Sequence, residues 1–391
     1  MLAYLYNTSN QRCPFRRATA VVTSSLVALA LCGCEKVPTF TELTGQESKP
    51  LEASKSAPTD QSGGITVPVK QPVVAAPIQV ENPQEVLSAF NNTPTFQRSD
   101  NDLVRLAGLP AVLDSITEMD FTGANGISDV GIQHLAKFPN IEHLNLTGTK
   151  VTPLGIPVVS SLSKLKSLEL RGFVLNREAL NAIVKAERIE RLAFSQTVGG
   201  EEHLDALCRL PELREVDLSQ RTISDEALKS LANCPKLEQL LLQKDPINGS
   251  GLQFLNSKKG PPLKVLNVTS TRFGEKGMPY LKGLDTLEEL IANDCGITDQ
   301  TLFQNLKGMS HLRKLHLGLN NISDIGTQAL VGIKSLEDVS LHGCNNVGDK
   351  TLGYLKSHKS LRRLNVMGCR VSPTALQAFK KLLPGCEVIT N

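Results

Sequence analysis

Leu312-Arg313-Lys314-Leu315-His316-Leu317-Gly318-Leu319-Asn320-Asn321-Ile322-Ser323-Asp324 is the stretch whose reading decides the fold. Leu315 and Leu317 alternate with polar residues, the period-two pattern of a short strand with one apolar face. Asn320 breaks the alternation. Its amide can hydrogen-bond the backbone of a turn, whose polar groups are costly to bury unpaired. Ile322 returns to the interior. Ser323-Asp324 then supplies side-chain oxygens suited to the free amides at a helix start. A strand, a turn and a helix are thus specified in succession.

The same frame recurs. Leu361, Leu364, Val366, Cys369 and Val371 form one copy; Leu213, Val216, Leu218 and Ile223 another; Leu263, Leu266, Val268 and Phe273 a third. The first apolar residue of each copy falls at Ile116, Ile141, Leu165, Ile189, Leu213, Leu237, Leu263, Leu287, Leu312, Leu336 and Leu361, eleven copies spaced by 24 to 26 residues. One unit alone cannot bury its apolar face, whereas stacked units share a continuous core. Frame, period and the following Ile297-Thr298-Asp299 and Ile322-Ser323-Asp324 resemble the leucine-rich-repeat family, in its ribonuclease-inhibitor-like and cysteine-containing subtypes. The resemblance covers about Ile116 to Asn391. It implies an α/β solenoid, a curved horseshoe with parallel strands on the concave face and helices on the convex face. It says little of the ligand.

The turn slot holds Ala124, Thr149, Phe173, Thr197, Arg221, Asp245, Thr271, Cys295, Asn320, Cys344 and Cys369 in order. Asn, Thr and Cys are small groups able to bond turn backbone. Cys295, Asn320, Cys344 and Cys369 are read as structural turn residues. Phe173, Arg221 and Asp245 depart from the pattern and predict irregular turns. Ser128-Asp129, Ser224-Asp225, Thr298-Asp299 and Ser323-Asp324 read as helix caps.

Upstream, Arg12, Arg16 and Arg17 precede an apolar run from Ala18 to Leu31, which ends Leu31-Cys32-Gly33-Cys34. The run is too short to span a bilayer comfortably. The ending resembles the bacterial lipobox, which implies that Cys34 is lipidated; an ordinary secretory signal is the alternative. Residues 1–33 are then a lipoprotein signal peptide. Residues 34–83, rich in Pro and Ser without apolar period, read as a disordered tether reaching up to ~150 Å. Residues 84–115 read as an N-terminal cap, with helical patterns around Pro83 to Phe90 and Asp102 to Leu109. Residues 116–391 hold the eleven repeats and a C-terminal cap, with Val388 and Ile389 as a last strand.

Composition narrows the function. Aromatics are 4% and tryptophan is absent, so the core is aliphatic and repetitive. A net charge of +3 is too small to point to a nucleic-acid partner. No metalloprotease, nucleophile-elbow, phosphate-loop or Cys-x-x-Cys motif occurs, and neither an enzyme nor a cofactor is expected. Cys208, Cys234 and Cys386 share end-of-helix slots and read as buried small apolar groups, like the turn cysteines. A disulfide between Cys344 and Cys369 is the alternative there. His316 and His342 should point outward from adjacent repeats, in an offset that suits a metal poorly. Asn145-Leu146-Thr147, Asn267-Val268-Thr269 and Asn321-Ile322-Ser323 match the glycosylation acceptor pattern, which carries little weight beside a lipobox.

On the concave face, Glu118, Asp120, Glu142, Asn145, Glu169, Arg171, Arg191, Arg214 and Asp217 read as a solvated surface of mixed charge. Leu241, Val265 and Ile291 should be exposed together from three consecutive repeats, rimmed by Gln239, Gln243, Asn267 and Asn293. Such a cluster fits a partner-binding site; scattered exposed apolar residues are the bland alternative. The expected function is a non-enzymatic, envelope-anchored recognition module for a protein, peptide or glycan, held at a membrane by its lipid. A ubiquitin-ligase substrate receptor of the F-box kind, or a structural spacer of the envelope, are the alternatives. No F-box pattern precedes Ile116, and the lipobox favours export.

Overall fold

The computed structural model describes residues 81–390 other than 198, 200 and 258. The expected signal segment, Cys34 and the tether up to residue 80 lie outside the described residues. Twelve three-residue strands form one parallel sheet in strict chain order, from Glu118–Asp120 to Glu387–Ile389. Each connection crosses the other side as a helical segment, so the architecture is an α/β leucine-rich-repeat solenoid, open at both ends.

The core follows from strand alternation. The central strand residue of each repeat points inward: Met119, Leu168, Leu240, Leu290 and Leu364 are all fully buried. The apolar residue two places on, such as Phe121, Leu170, Leu242, Leu317 and Leu341, is buried as well. Two stacked rows of side chains therefore run the length of the sheet, each repeat contributing to both.

The helical half is less regular than the sequence predicts. Arg177–Ile183, Asp299–Asn305, Asp349–Leu355 and Pro373–Leu382 are α-helices, while Ile156–Ser161, Ser250–Phe254 and Met278–Gly283 are tighter 3-10 segments. Pro157 and Pro279 lie in the first turns of two of these segments, and Gly249 and Gly251 at the start of the third. At the N-terminus, helices Pro83–Asn92 and Asp100–Ala107 cover the first repeat. Buried Arg98 lies between them and the sheet, with its guanidinium 4.2 Å from the Phe90 ring centre and Nη1 donating to the Asp120 carbonyl at 2.6 Å.

Asn320 sits inside its turn. Its Oδ1 accepts from the amides of Cys295 and Ile297 in the preceding repeat, at 3.0 and 2.9 Å. Its Nδ2 donates to the carbonyls of Ala292, Leu317 and Gly318. Cys295, Cys344 and Cys369 do a smaller version of this, each thiol donating to a carbonyl of the preceding repeat: Val268, Leu317 and Leu341. Burial pushes all three thiols up, that of Cys369 to about 11, so they remain protonated donors.

Two expectations are corrected. The turns at Phe173 and Asp245 are not irregular, whereas the turn at Arg221 is, as expected: Thr222 just after it is left-handed, with φ 61°. Asp245 replaces asparagine: its Oδ1 accepts from the Arg221 and Thr222 amides at 2.8 and 2.9 Å. Cys208 and Cys234 are not separate apolar groups but a disulfide between consecutive repeats, because one slot recurring in stacked units brings their Cα atoms to 4.3 Å. Cys344 and Cys369 remain free thiols in the turn slot, each engaged with backbone as described, and do not form the alternative disulfide.

The Ser-Asp pairs divide their labour. Ser128, Thr298 and Ser323 cap their own helices, accepting from Val130, Thr301 and Ile325 amides. The aspartates instead reach the next repeat. Asp100 accepts from Ser128, Asp129 from Thr152, Asp299 from Ser323 and Asp349 from Ser372, in each case from both the amide and the hydroxyl. Asp324 takes the amides of Gly348 and Thr351 and the Thr351 hydroxyl.

Candidate partner-binding face

Strand pairing aligns the outward residues in two rows. The first runs Gln239, Val265, Glu289, Lys314 across the central strands; the second runs Asp217, Leu241, Asn267, Ile291, His316. Leu241 and Ile291 therefore lie on either side of Asn267, about 10 Å apart at the usual strand spacing. Val265 occupies the first row, two residues from Asn267 on the same face. All three apolar residues are half-buried, where the sequence predicted exposure. Side chains of neighbouring strands stand only about 5 Å away and cover part of each.

The polar residues of the expected rim take different roles. Asn267 is buried, and its Oδ1 accepts the Thr269 amide at 3.1 Å, fixing its own turn. Asn293 accepts the Gly318 amide of the next repeat at 2.7 Å. Both are structural first, because an outward amide beside a turn meets backbone donors before it meets solvent. Gln239 and Gln243 are half-buried. Gln239 and Val265 line a shallow cleft of about 300 Å³ walled by Glu238, Lys264, Glu288 and Arg313.

That wall belongs to a feature the sequence reading missed. The residue just after the first apolar position reads Glu142, Lys166, Glu190, Arg214, Glu238, Lys264, Glu288, Arg313, Glu337, Arg362: the sign alternates through ten consecutive repeats. Stacking turns this into an ion ladder along one border of the sheet. Lys166 meets Glu142 at 2.7 Å, Arg214 meets Glu238 at 2.8 Å, Lys264 meets Glu238 at 3.2 Å and Arg313 meets Glu337 at 2.7 Å. Lys166 holds the Glu142 carboxyl below the usual range by a direct hydrogen bond. Exposed pairs of this kind add little to stability. The larger consequence is that this border neutralises itself. Aligning the copies column by column, rather than reading each alone, reveals it.

His316 and His342 do not converge on one point. His316 Nε2 lies 3.4 Å from Asp338 Oδ1, whereas His342 Nδ1 lies 3.1 Å from the Ser340 hydroxyl and its ring rests against Gly318. Among the described residues no group of three His, Cys, Asp or Glu side chains is placed to hold a metal ion. No described helix is long and apolar enough to cross a membrane.

Stacked strand-turn-helix units with a free parallel sheet face have the architecture of a leucine-rich-repeat solenoid. The family model described as "Leucine Rich repeat" matches residues 308–331, which span one unit. Among solved structures, the chain is similar to an internalin (inlF) from Listeria monocytogenes, at 16% identity over 78% of this chain and 93% of that one, TM-score 0.48. It is also similar to a leucine-rich-repeat protein of Leptospira interrogans, at 19% identity over 73% and 68%, TM-score 0.48. TLR13, solved in a complex with ssRNA13, is 20% identical over 70% and 44%, TM-score 0.47. No curated protein matches the chain.

Proposed function

We propose that this protein is a non-enzymatic recognition module of the cell envelope, anchored through a lipid on Cys34, that binds a protein, peptide or glycan on its concave face. The observation that carries the reading is the placement of Leu241 and Ile291 in one row on either side of Asn267, with Val265 beside them. Half-buried apolar side chains on an open sheet face add little to the core, and an apolar group from a partner would remove their remaining surface from water. The adjoining charges are paired along their own border, so the apolar cluster is the part of this face left to be satisfied. The Cys208–Cys234 disulfide supports export, since such bonds persist outside the reducing cytosol.

The test starts with a pull-down from envelope extract, using the full chain as bait. Leu241→Asp with Ile291→Asp should then leave the protein folded and weaken capture of the identified partner by at least ~2 kcal/mol. Undiminished capture by a folded double variant would remove the site. Cys34→Ser should shift the protein from the membrane to the soluble fraction; an unchanged distribution would remove the anchor.

A further inference from the structure

We propose a second docking site, on the helical side of residues 299–356, for an acidic polypeptide segment that presents one apolar side chain. Three consecutive repeats form a trough of about 480 Å³ there. Phe303 and Tyr354, from the outer two repeats, line it, as do Ala329 and Gly332 from the middle one. The sequence cuts this shape. Five residues beyond the aspartate that opens each helix, the middle repeat has Ala329 where the next has Tyr354. Eight beyond, it has Gly332 where the previous one has Lys307. Ala329 packs on the core, and a Cβ added at Gly332 would meet nothing within 4 Å, so the space above both is open. Phe303 is 59% exposed in a chain with few aromatics. A concave apolar slot one repeat wide suits an inserted side chain better than it suits a flat bilayer.

Charge selects the partner. Residues 299–359 hold seven Lys and Arg against five Asp and Glu. The carboxylates on these helices, Asp299, Asp324 and Asp349, are each occupied by donors of the next repeat. Lys307 lines the trough, and exposed Lys350, Lys356 and Lys359 lie on the helix Asp349–Leu355 and just beyond it. None of these four lysines has an ion-pair partner among the described residues. An apolar slot in an uncompensated basic field is complementary to an apolar side chain flanked by carboxylates.

The test is fluorescence anisotropy with the full chain and a labelled Glu-rich peptide carrying one central Phe. Saturable one-to-one binding is expected, weakened at least about tenfold by Phe303→Ser and by Gly332→Glu. Gly332→Glu keeps the test independent of any folding defect at Phe303, because its side chain enters open space. The same loss is expected when the peptide's Phe becomes Ala or its Glu residues become Gln. Leu241→Asp should have no effect, which separates this site from the concave one. Absence of saturable binding would overturn the proposal, as would binding indifferent to both Phe303 and the peptide's Phe. Three further results would assign the trough to another occupant and overturn it equally. These are phosphatidylglycerol vesicles or oligothymidylate bound through Phe303 in place of the peptide, and self-association abolished by Phe303→Ser.

Discussion

The Asp299 carboxylate accepts both the amide and the hydroxyl of Ser323, one repeat downstream, with the amide nitrogen at 2.7 Å. Ser323 in turn caps its own helix at Ile325. One side chain thus joins two repeats and orients the start of a helix. The space it needs is supplied by Gly326, where a Cβ would lie 2.2 Å from Asp299 Oδ1. Gly131 and Gly155 stand in the same relation to Asp100 and Asp129.

Asp299→Ala should therefore cost about 1–3 kcal/mol, the range for losing hydrogen bonds to a charged group. Repeat arrays couple mainly to nearest neighbours, so hydrogen exchange should quicken around residues 323–327 and stay unchanged near the first repeats. Gly326→Ala should give the same local pattern through the clash. Uniform protection in both variants would refute the ladder as a stabilising element.

Asn320→Ala removes a group that serves five backbone partners in two repeats. A loss of about 1–3 kcal/mol is expected in urea unfolding. Cys344→Ala, which removes one weaker donor to Leu317, should cost less. Equal losses would mean that packing, not hydrogen bonding, sets the turn slot.

Asp245 predicts a pH dependence. Burial raises its carboxyl to about 6, despite the amides of Arg221 and Thr222 and the Arg221 charge. The native state then holds a proton that the unfolded chain releases near its ordinary value of 3.8. Stability from this group is present below about pH 4 and is lost as pH rises through about 6, by about 1–3 kcal/mol. Asp245→Asn keeps the acceptor and cannot ionise. Its advantage over the parent should grow from pH 4 to pH 7; parallel stability curves would show that Asp245 titrates normally.

Leu319 holds a left-handed backbone, φ 59°, at a position filled by glycine in five repeats, among them Gly343 with φ 68°. Its side chain is 57% exposed and adds little burial. Leu319→Gly should stabilise by up to ~1 kcal/mol, because relief of the left-handed strain exceeds the entropy glycine adds to the unfolded chain. A lower midpoint in chemical denaturation would show that the leucine makes a contact of greater worth.

By itself the sequence determined the repeat, its register and its core. Period-two leucines at a fixed spacing admit one stacking, and a slip by one residue would turn every leucine to solvent. Asn320 was legible for the same reason, since a polar residue at an inward position must meet backbone. What only the tertiary structure decided depends on stacking. The aspartates look like caps within a repeat and become links between repeats once the next unit is in place. Cys208 and Cys234 are 26 residues apart in the chain and bonded in the solenoid. Leu241 and Ile291 are neighbours only across Asn267, and the exposure of each is set by the strands on either side. Local pattern fixes which way a side chain points; the adjacent repeat fixes what it meets.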